Sequence, residues 1–313
     1  LEASQSAVRA PSGSLLGGAR RRPGEDAVKV FLIACTLLSV VTTIGILFAL
    51  LEETIAFFGD VPVADFFFGT DWSPLFADPS YGVLPLIWGT LLITGIAIAV
   101  AIPLGLGAAI YLSEYARPRV RKTIKPILET LAGIPTIVFG YFALTFFTPE
   151  ILQGAFGKDI KIFNALSAGI VMGFMVLPTI ASLAEDAMTA VPQSLREGAF
   201  GLGASKLQVS LRVVFPAALS GVVAAIVLGI SRAIGETMIA VVAAGLVATT
   251  AFAPGEPHAT MTAFIAGTAK GDVPTGSIGY ETIFAVGTTL FFMTLLMNMI
   301  AIRFVRKYRQ VYE

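Results

Sequence analysis

Six stretches of this chain are apolar over lengths that suit a bilayer: about residues 28–51, 86–113, 127–149, 163–184, 217–246 and 281–304. Each can cross ~30 Å of hydrocarbon at ~1.5 Å rise per residue, the longer ones with some tilt. The pattern predicts an all-α, polytopic membrane protein with six transmembrane helices. The first stretch is too long and uninterrupted for a cleaved signal peptide, and no small-residue cleavage site follows it, so it reads as a retained span. Between the fourth and fifth stretches lies a polar island at about 185–216. It contains Glu197-Gly198-Ala199-Phe200-Gly201-Leu202-Gly203 and, further on, Phe215-Pro216. This island reads as a short helix, a glycine turn at Gly201 and Gly203, and a second helix stopped by Pro216.

The polar segments organise the rest. Residues 1–27 form an amino-terminal tail, with 1–24 expected to be disordered. Residues 28–85 hold the first span and an outer loop, 86–304 hold the other spans and the island, and 305–313 form a second tail. The 52–85 loop carries Phe57, Phe58, Phe66, Phe67, Phe68, Trp72 and Phe76, as an interfacial helix or aromatic belt would; a docking surface for an external partner is the other reading. The Gly-, Pro- and Thr-rich 247–280 loop leaves room for a short interfacial or re-entrant helix around 259–269. Thr90, Thr94, Gly89 and Gly95 suit close helix packing, and Asn298 an interhelical hydrogen bond. Pro103, Pro135 and Pro178 each interrupt a span.

Composition supports a membrane protein: 56% of residues are hydrophobic and 13% charged, against about 25% charged in soluble domains. The placement of cations adds an orientation. Seventeen of the 21 Lys and Arg fall in the two tails, the 114–126 loop and the island, whereas Lys158, Lys161 and Lys270 occupy the opposite side. The 52–85 loop there has six acids and no base. Both termini and the island are therefore expected in the cytoplasm of a multi-pass cell-membrane protein. Cys35 is the only cysteine and His258 the only histidine, which excludes an intrachain disulfide and a zinc cluster built on several Cys or His ligands. No catalytic residue, metal site, cofactor or nucleic-acid partner is predicted, and membrane lipids are the surroundings.

One cation remains inside the membrane. Arg232 falls within the fifth stretch, in Leu228-Gly229-Ile230-Ser231-Arg232-Ala233-Ile234-Gly235-Glu236-Thr237. An unpaired arginine at the bilayer centre costs at least ~2.5–3.5 kcal/mol. On a continuous helix Glu236 lies one turn away, so an i, i+4 pair is expected. The pair is either a structural lock or a charged station on a pathway, where a guanidinium offers bidentate hydrogen bonds to an oxyanion. There is no G-x-x-x-x-G-K-[ST] run, so a transporter built on this chain takes its ATPase from a separate subunit.

Glu197, Ala199 and Gly203, followed by Val213 and Phe215-Pro216, resemble the E-A-A-x3-G-x9-I-x-L-P cytoplasmic loop of ABC importer permeases; Gly198, Val213 and Phe215 are departures from it. Arg232-Ala233-Ile234-Gly235-Glu236-Thr237-Met238 resembles the R-A-[LI]-G-E-T-M stretch of the phosphate permease family, and Met238 with Ile239-Ala240-Val241-Val242 is closer to its C-type subunit. Gly89-Thr90-Leu91, Tyr111-Leu112-Ser113-Glu114-Tyr115 and Gly133-Ile134-Pro135-Thr136-Ile137-Val138 match as well. The similarity runs from about residue 80 to the carboxyl end. It implies a MetI-like type I importer architecture, and a sister A-type permease, a cytosolic ABC ATPase dimer, an external phosphate-binding protein and inorganic phosphate as partners. By the same resemblance Glu197, Gly198, Ala199, Gly203 and Pro216 form the ATPase-coupling segment, with Pro216 passing motion into a rigid fifth span, and Arg232 and Glu236 line the substrate pathway. A permease for molybdate or sulfate is the alternative; an ion-coupled secondary carrier or channel is the alternative of another class.

Overall fold

A computed structural model describes residues 23–157, 159–271 and 273–308; the expected disorder at 1–24 lies, for residues 1–22, outside them. Helix α1 is Pro23–Asp60 and α2 is Val63–Phe68. Helix α3, Leu84–Ile110, runs on through a π-helical turn, Tyr111–Tyr115. Helix α4 is Pro118–Leu131, and α5 is the Thr136–Phe156 span. Helix α6 is Ala165–Thr189, α7 is Gln193–Gly201, α8 is Lys206–Ala217 and α9 is Leu219–Ile234. Helix α10 is Met261–Ala269 and α11 is Ile278–Tyr308. Among the described residues five helices are long and apolar enough to cross a membrane, and the count is six if the bent pair α8–α9 is one broken span. The amino-terminal part of α1 presents apolar side chains such as Phe31, Leu38 and Val41 to its surroundings, as a lipid-facing helix does.

Two of the six stretches depart from expectation. The third does not begin at 127: Ile127, Leu128 and Leu131 belong to α4, an amphipathic helix with Pro118 in its first turn and no buried residue. The chain breaks at Ala132-Gly133-Ile134-Pro135, and the span starts at Thr136. The fifth stretch, 217–246, is not one helix either. Helix α8 carries on past Pro216 by one residue, the segment Phe215–Ala217 continuing the π-helical turn Ser210–Val214. The break follows at Ala218, and α9 leaves at 73°. Helix α9 then ends at Ile234, and a short π-helical turn, Ala240–Ala244, resumes after Gly235-Glu236-Thr237. Pro103 and Pro178, by contrast, lie inside unbroken α3 and α6.

Helices α3 and α6 form the centre. Ala97, Ala101 and Ala168 join one buried cluster there, and Gly173 lets the two backbones approach closely, the Ala97 carbonyl resting on it. The acidic end has a second core. Phe57 and Phe66 are fully buried there, with edge-to-face neighbours Phe58, Phe67, Trp72 and Tyr81. The aromatic loop is thus part packed core, with Phe57 and Phe66 buried, and part open surface, with Phe67, Phe68 and Phe76 exposed. The expected helix near 259–269 is α10. His258 is buried, its ring nitrogens 3.1 and 3.0 Å from the carbonyl oxygens of Glu256 and Ala251, a structural role.

Gly89 shows why α3 needs glycine and threonine here. The backbone of Ala259 rests on it, and the Thr90 hydroxyl accepts the Met261 N–H at 3.0 Å. In a Gly89→Ala variant the new Cβ meets the Ala259 carbonyl, forcing helix and loop apart at a cost of about 1–3 kcal/mol. Amide hydrogen exchange in residues 249–261 is expected to accelerate; wild-type protection in that variant would contradict the packing.

Candidate translocation and coupling site

Arg232 lies in the last turn of α9, thirteen residues or roughly 20 Å of helix beyond its start. Its Nη1 donates to the Thr179 hydroxyl on α6 at 2.9 Å, and its Nη2 to the Ala132 carbonyl at 3.3 Å. Ala132 is the C-cap of α4, so the guanidinium satisfies a backbone acceptor freed by the break before α5. One side chain therefore joins α9, α6 and the end of α4. The expected Arg232–Glu236 pair is not formed, because α9 stops at Ile234 and the i, i+4 geometry ends with it.

Glu236 is nonetheless buried and its carboxylate used: Oε1 accepts the N–H groups of Met238 at 3.0 Å and Ile239 at 3.3 Å. It caps the turn that resumes after the break, where a negative group is favoured. Its own carbonyl accepts the Thr262 hydroxyl at 2.9 Å, tying the break to the start of α10. Ser231 donates to Asn298 at 2.7 Å, the expected interhelical bond between α9 and α11.

The island folds as a helix, a turn and a helix. Glu197, Gly198 and Ala199 lie in α7, and Gly203 takes the left-handed conformation at φ +81°. Ser205 and Gln208 form a capping box at the start of α8. Leu202 at the turn is 91% exposed and Leu207 58%, apolar surface that a soluble loop rarely leaves uncovered. Pro216 lies in the last turn of α8, ahead of the bend rather than in a shaft continuous with Arg232.

Residues 101–310 match the family described as binding-protein-dependent transport system inner membrane component. The chain belongs to this family. Among curated proteins this permease is 33% identical to a probable ABC transporter permease protein, YqgH, of Bacillus subtilis, over 93% of this chain and 94% of that one. It is 36% identical to the phosphate transport system permease protein PstC 1 of Mycobacterium tuberculosis, covering 72% and 73% of the two chains. Among solved structures it superposes on a bacterial ABC transporter for alginate import with a TM-score of 0.63 at 15% identity, over 92% of this chain and 100% of that one. The MetNI methionine ABC transporter gives 0.58 at 20% identity, over 73% and 96%. These likenesses fix the fold as that of an ABC importer permease.

Two charged clusters of the permease were not foreseen. Glu185, fully buried near the end of α6, pairs with Arg121 and with Lys125 (2.8 Å) of α4 and accepts the Thr189 hydroxyl at 3.0 Å. Lys125 also pairs with Asp186. Burial pulls the Lys125 ammonium down, but its bonds to Asp186 and Glu185 outweigh that and hold it above the usual lysine range. The second cluster joins Arg196 of α7 to Glu114. Both were read as loop charges; Arg121 and Lys125, four apart on one amphipathic face, were the available signal.

Proposed function

We propose that this permease forms half of an ATP-driven importer of inorganic phosphate, pairing with a sister A-type permease, a cytosolic ABC ATPase dimer and an external phosphate-binding protein. Arg232 carries this reading. It is the one cation in the interior of an apolar stretch, Lys29 and Arg303 each lying one residue from a stretch end, and its described partners are neutral oxygens, so its charge stays available to an anion. A guanidinium offers an oxyanion two parallel charge-assisted bonds, for which the Thr179 hydroxyl and Ala132 carbonyl hold it ready. Glu236 fixes the break beside it. Similarity to phosphate transport system permeases supports phosphate over molybdate or sulfate.

Coupling falls to the island, with Glu197, Gly198, Ala199 and Gly203 forming the face that seats in the ATPase, and Pro216 leading into the bend. The excess of cations at this end supports a cytoplasmic placement with both termini. A Cβ at Gly203 meets nothing within 4 Å, so the effect of Gly203→Val is backbone strain alone, about 1–2 kcal/mol. The variant is expected to lose ATPase co-purification, or to hydrolyse ATP without uptake; normal docking and coupling would remove the island from the motor contact. The reading as a whole is tested by ATP hydrolysis of the reconstituted complex. Phosphate-loaded binding protein should stimulate it, and equal stimulation by sulfate-loaded protein would reassign the substrate.

A further inference from the structure

Arg196 is the side chain through which the coupling helix α7 grips the spans. Its Nη1 donates to the Val191 carbonyl at 2.5 Å and its Nη2 to the Met188 carbonyl at 2.8 Å. Both acceptors belong to the carboxyl end of α6 and the connection after it, where carbonyls lack i+4 partners, the Met188 carbonyl taking also the Val191 N–H at 3.3 Å, and where a cation is favoured. Nη2 and Nε also reach Glu114 Oε1 at 3.0 and 3.3 Å. Glu114 lies in the π-helical turn that ends α3. The two side chains are 11% and 8% exposed, so the pair is shielded from solvent and salt, unlike a surface ion pair. One guanidinium thus clasps the coupling helix to the ends of both central helices.

The alternative route through α8 is interrupted by the 73° bend at Ala218. Helix α6 has no such break: it runs from Ala165 to Thr189. It carries Met188 at the clasp and Thr179, the partner of Arg232, nine residues or roughly 13 Å away. We propose that motor movement reaches the Arg232 station through Arg196 and α6, making Arg196 and Glu114 positioning residues for coupling. This rests on the proposed function, in which an ATPase seats on α7.

The test uses the full reconstituted complex with ATPase and binding protein, measuring uptake of radiolabelled inorganic phosphate and ATP hydrolysis side by side. Arg196→Gln is expected to keep the ATPase bound and hydrolysing while phosphate moved per ATP falls at least tenfold. Arg196→Lys, which keeps the charge but not the fork, should fall between, and Glu114→Gln should lose coupling in the same direction. Arg196→Glu combined with Glu114→Arg should recover part of what Arg196→Glu alone loses. A wild-type ratio of uptake to hydrolysis in both Arg196→Gln and Glu114→Gln would overturn the inference while leaving the function intact. Loss of ATPase co-purification in Arg196→Gln would assign Arg196 to docking and overturn it too. Absence of ATP-driven uptake by the wild-type complex would overturn both readings.

Discussion

Arg232→Gln is expected to abolish phosphate uptake while the permease still assembles. Glutamine retains a donor for one of the two neutral acceptors, Thr179 and Ala132, so the junction of α9, α6 and α4 loses one charge-assisted bond, about 1.5–3 kcal/mol. The pathway loses more. A hydrogen bond to a charged group contributes about 1.5–3 kcal/mol, and losing two to a passing oxyanion lowers the rate about a hundredfold or more. Arg232→Lys keeps the charge without the fork and should retain measurable uptake with weaker anion selectivity. Uptake within a few-fold of wild type in Arg232→Gln, with complex yield unchanged, would remove Arg232 from the pathway.

The largest loss of stability is expected from neutralising Arg121 and Lys125 together. Glu185 is fully buried, and its charged partners are these two side chains of α4. The Arg121→Met/Lys125→Met variant strands that carboxylate, and breaking a buried pair in this way costs about 3–5 kcal/mol. Glu185→Gln should cost less, because Arg121 and Lys125 are partly exposed and Lys125 keeps Asp186. Thermal unfolding of the purified permease distinguishes the two, the double variant melting well below Glu185→Gln. The reverse order would mean that Glu185 is not the buried charge that the clamp serves. The Lys125 contribution has a definite sign. Its raised value means that the stabilisation is present below the ordinary lysine value and is lost as pH rises through the higher, folded one. The clamp therefore stays engaged through neutral pH and loosens only in strong alkali.

Apolar stretches were legible because lipid leaves a spanning segment few choices: about 20 apolar residues in a helix. Breaks within them were not. Gly133 and Pro135 mark the break before α5, Pro216 precedes the bend at Ala218 and Gly235 marks the break after α9, yet glycine and proline also occur in unbroken α3 and α6. What makes a break tolerable is a polar side chain, distant or local, that takes up the freed backbone groups. Arg232 does so for Ala132, and Glu236 does so for Met238 and Ile239. Sequence spacing instead placed Arg232 and Glu236 on one continuous helix and paired them with each other. Arg232 and Glu236 stand out in the sequence as charges in an apolar stretch, while their partners do not. Thr179 lies 53 positions from Arg232 and Ala132 lies 100, separations at which local spacing carries no information. Arg196, beside Glu197 in the island, carries no signal in the sequence, because a loop arginine is normally solvated. Its burial depends on α3 and α6 ending side by side.

Uptake of radiolabelled phosphate into proteoliposomes tests the central claim most directly. The vesicles would hold this permease, its sister permease and the ATPase, with binding protein outside and ATP within. ATP-dependent accumulation that excess unlabelled phosphate abolishes, and that equal sulfate or molybdate leaves nearly unchanged, is the predicted result. Accumulation without ATP, or displacement by sulfate or molybdate as effective as that by phosphate, would contradict it.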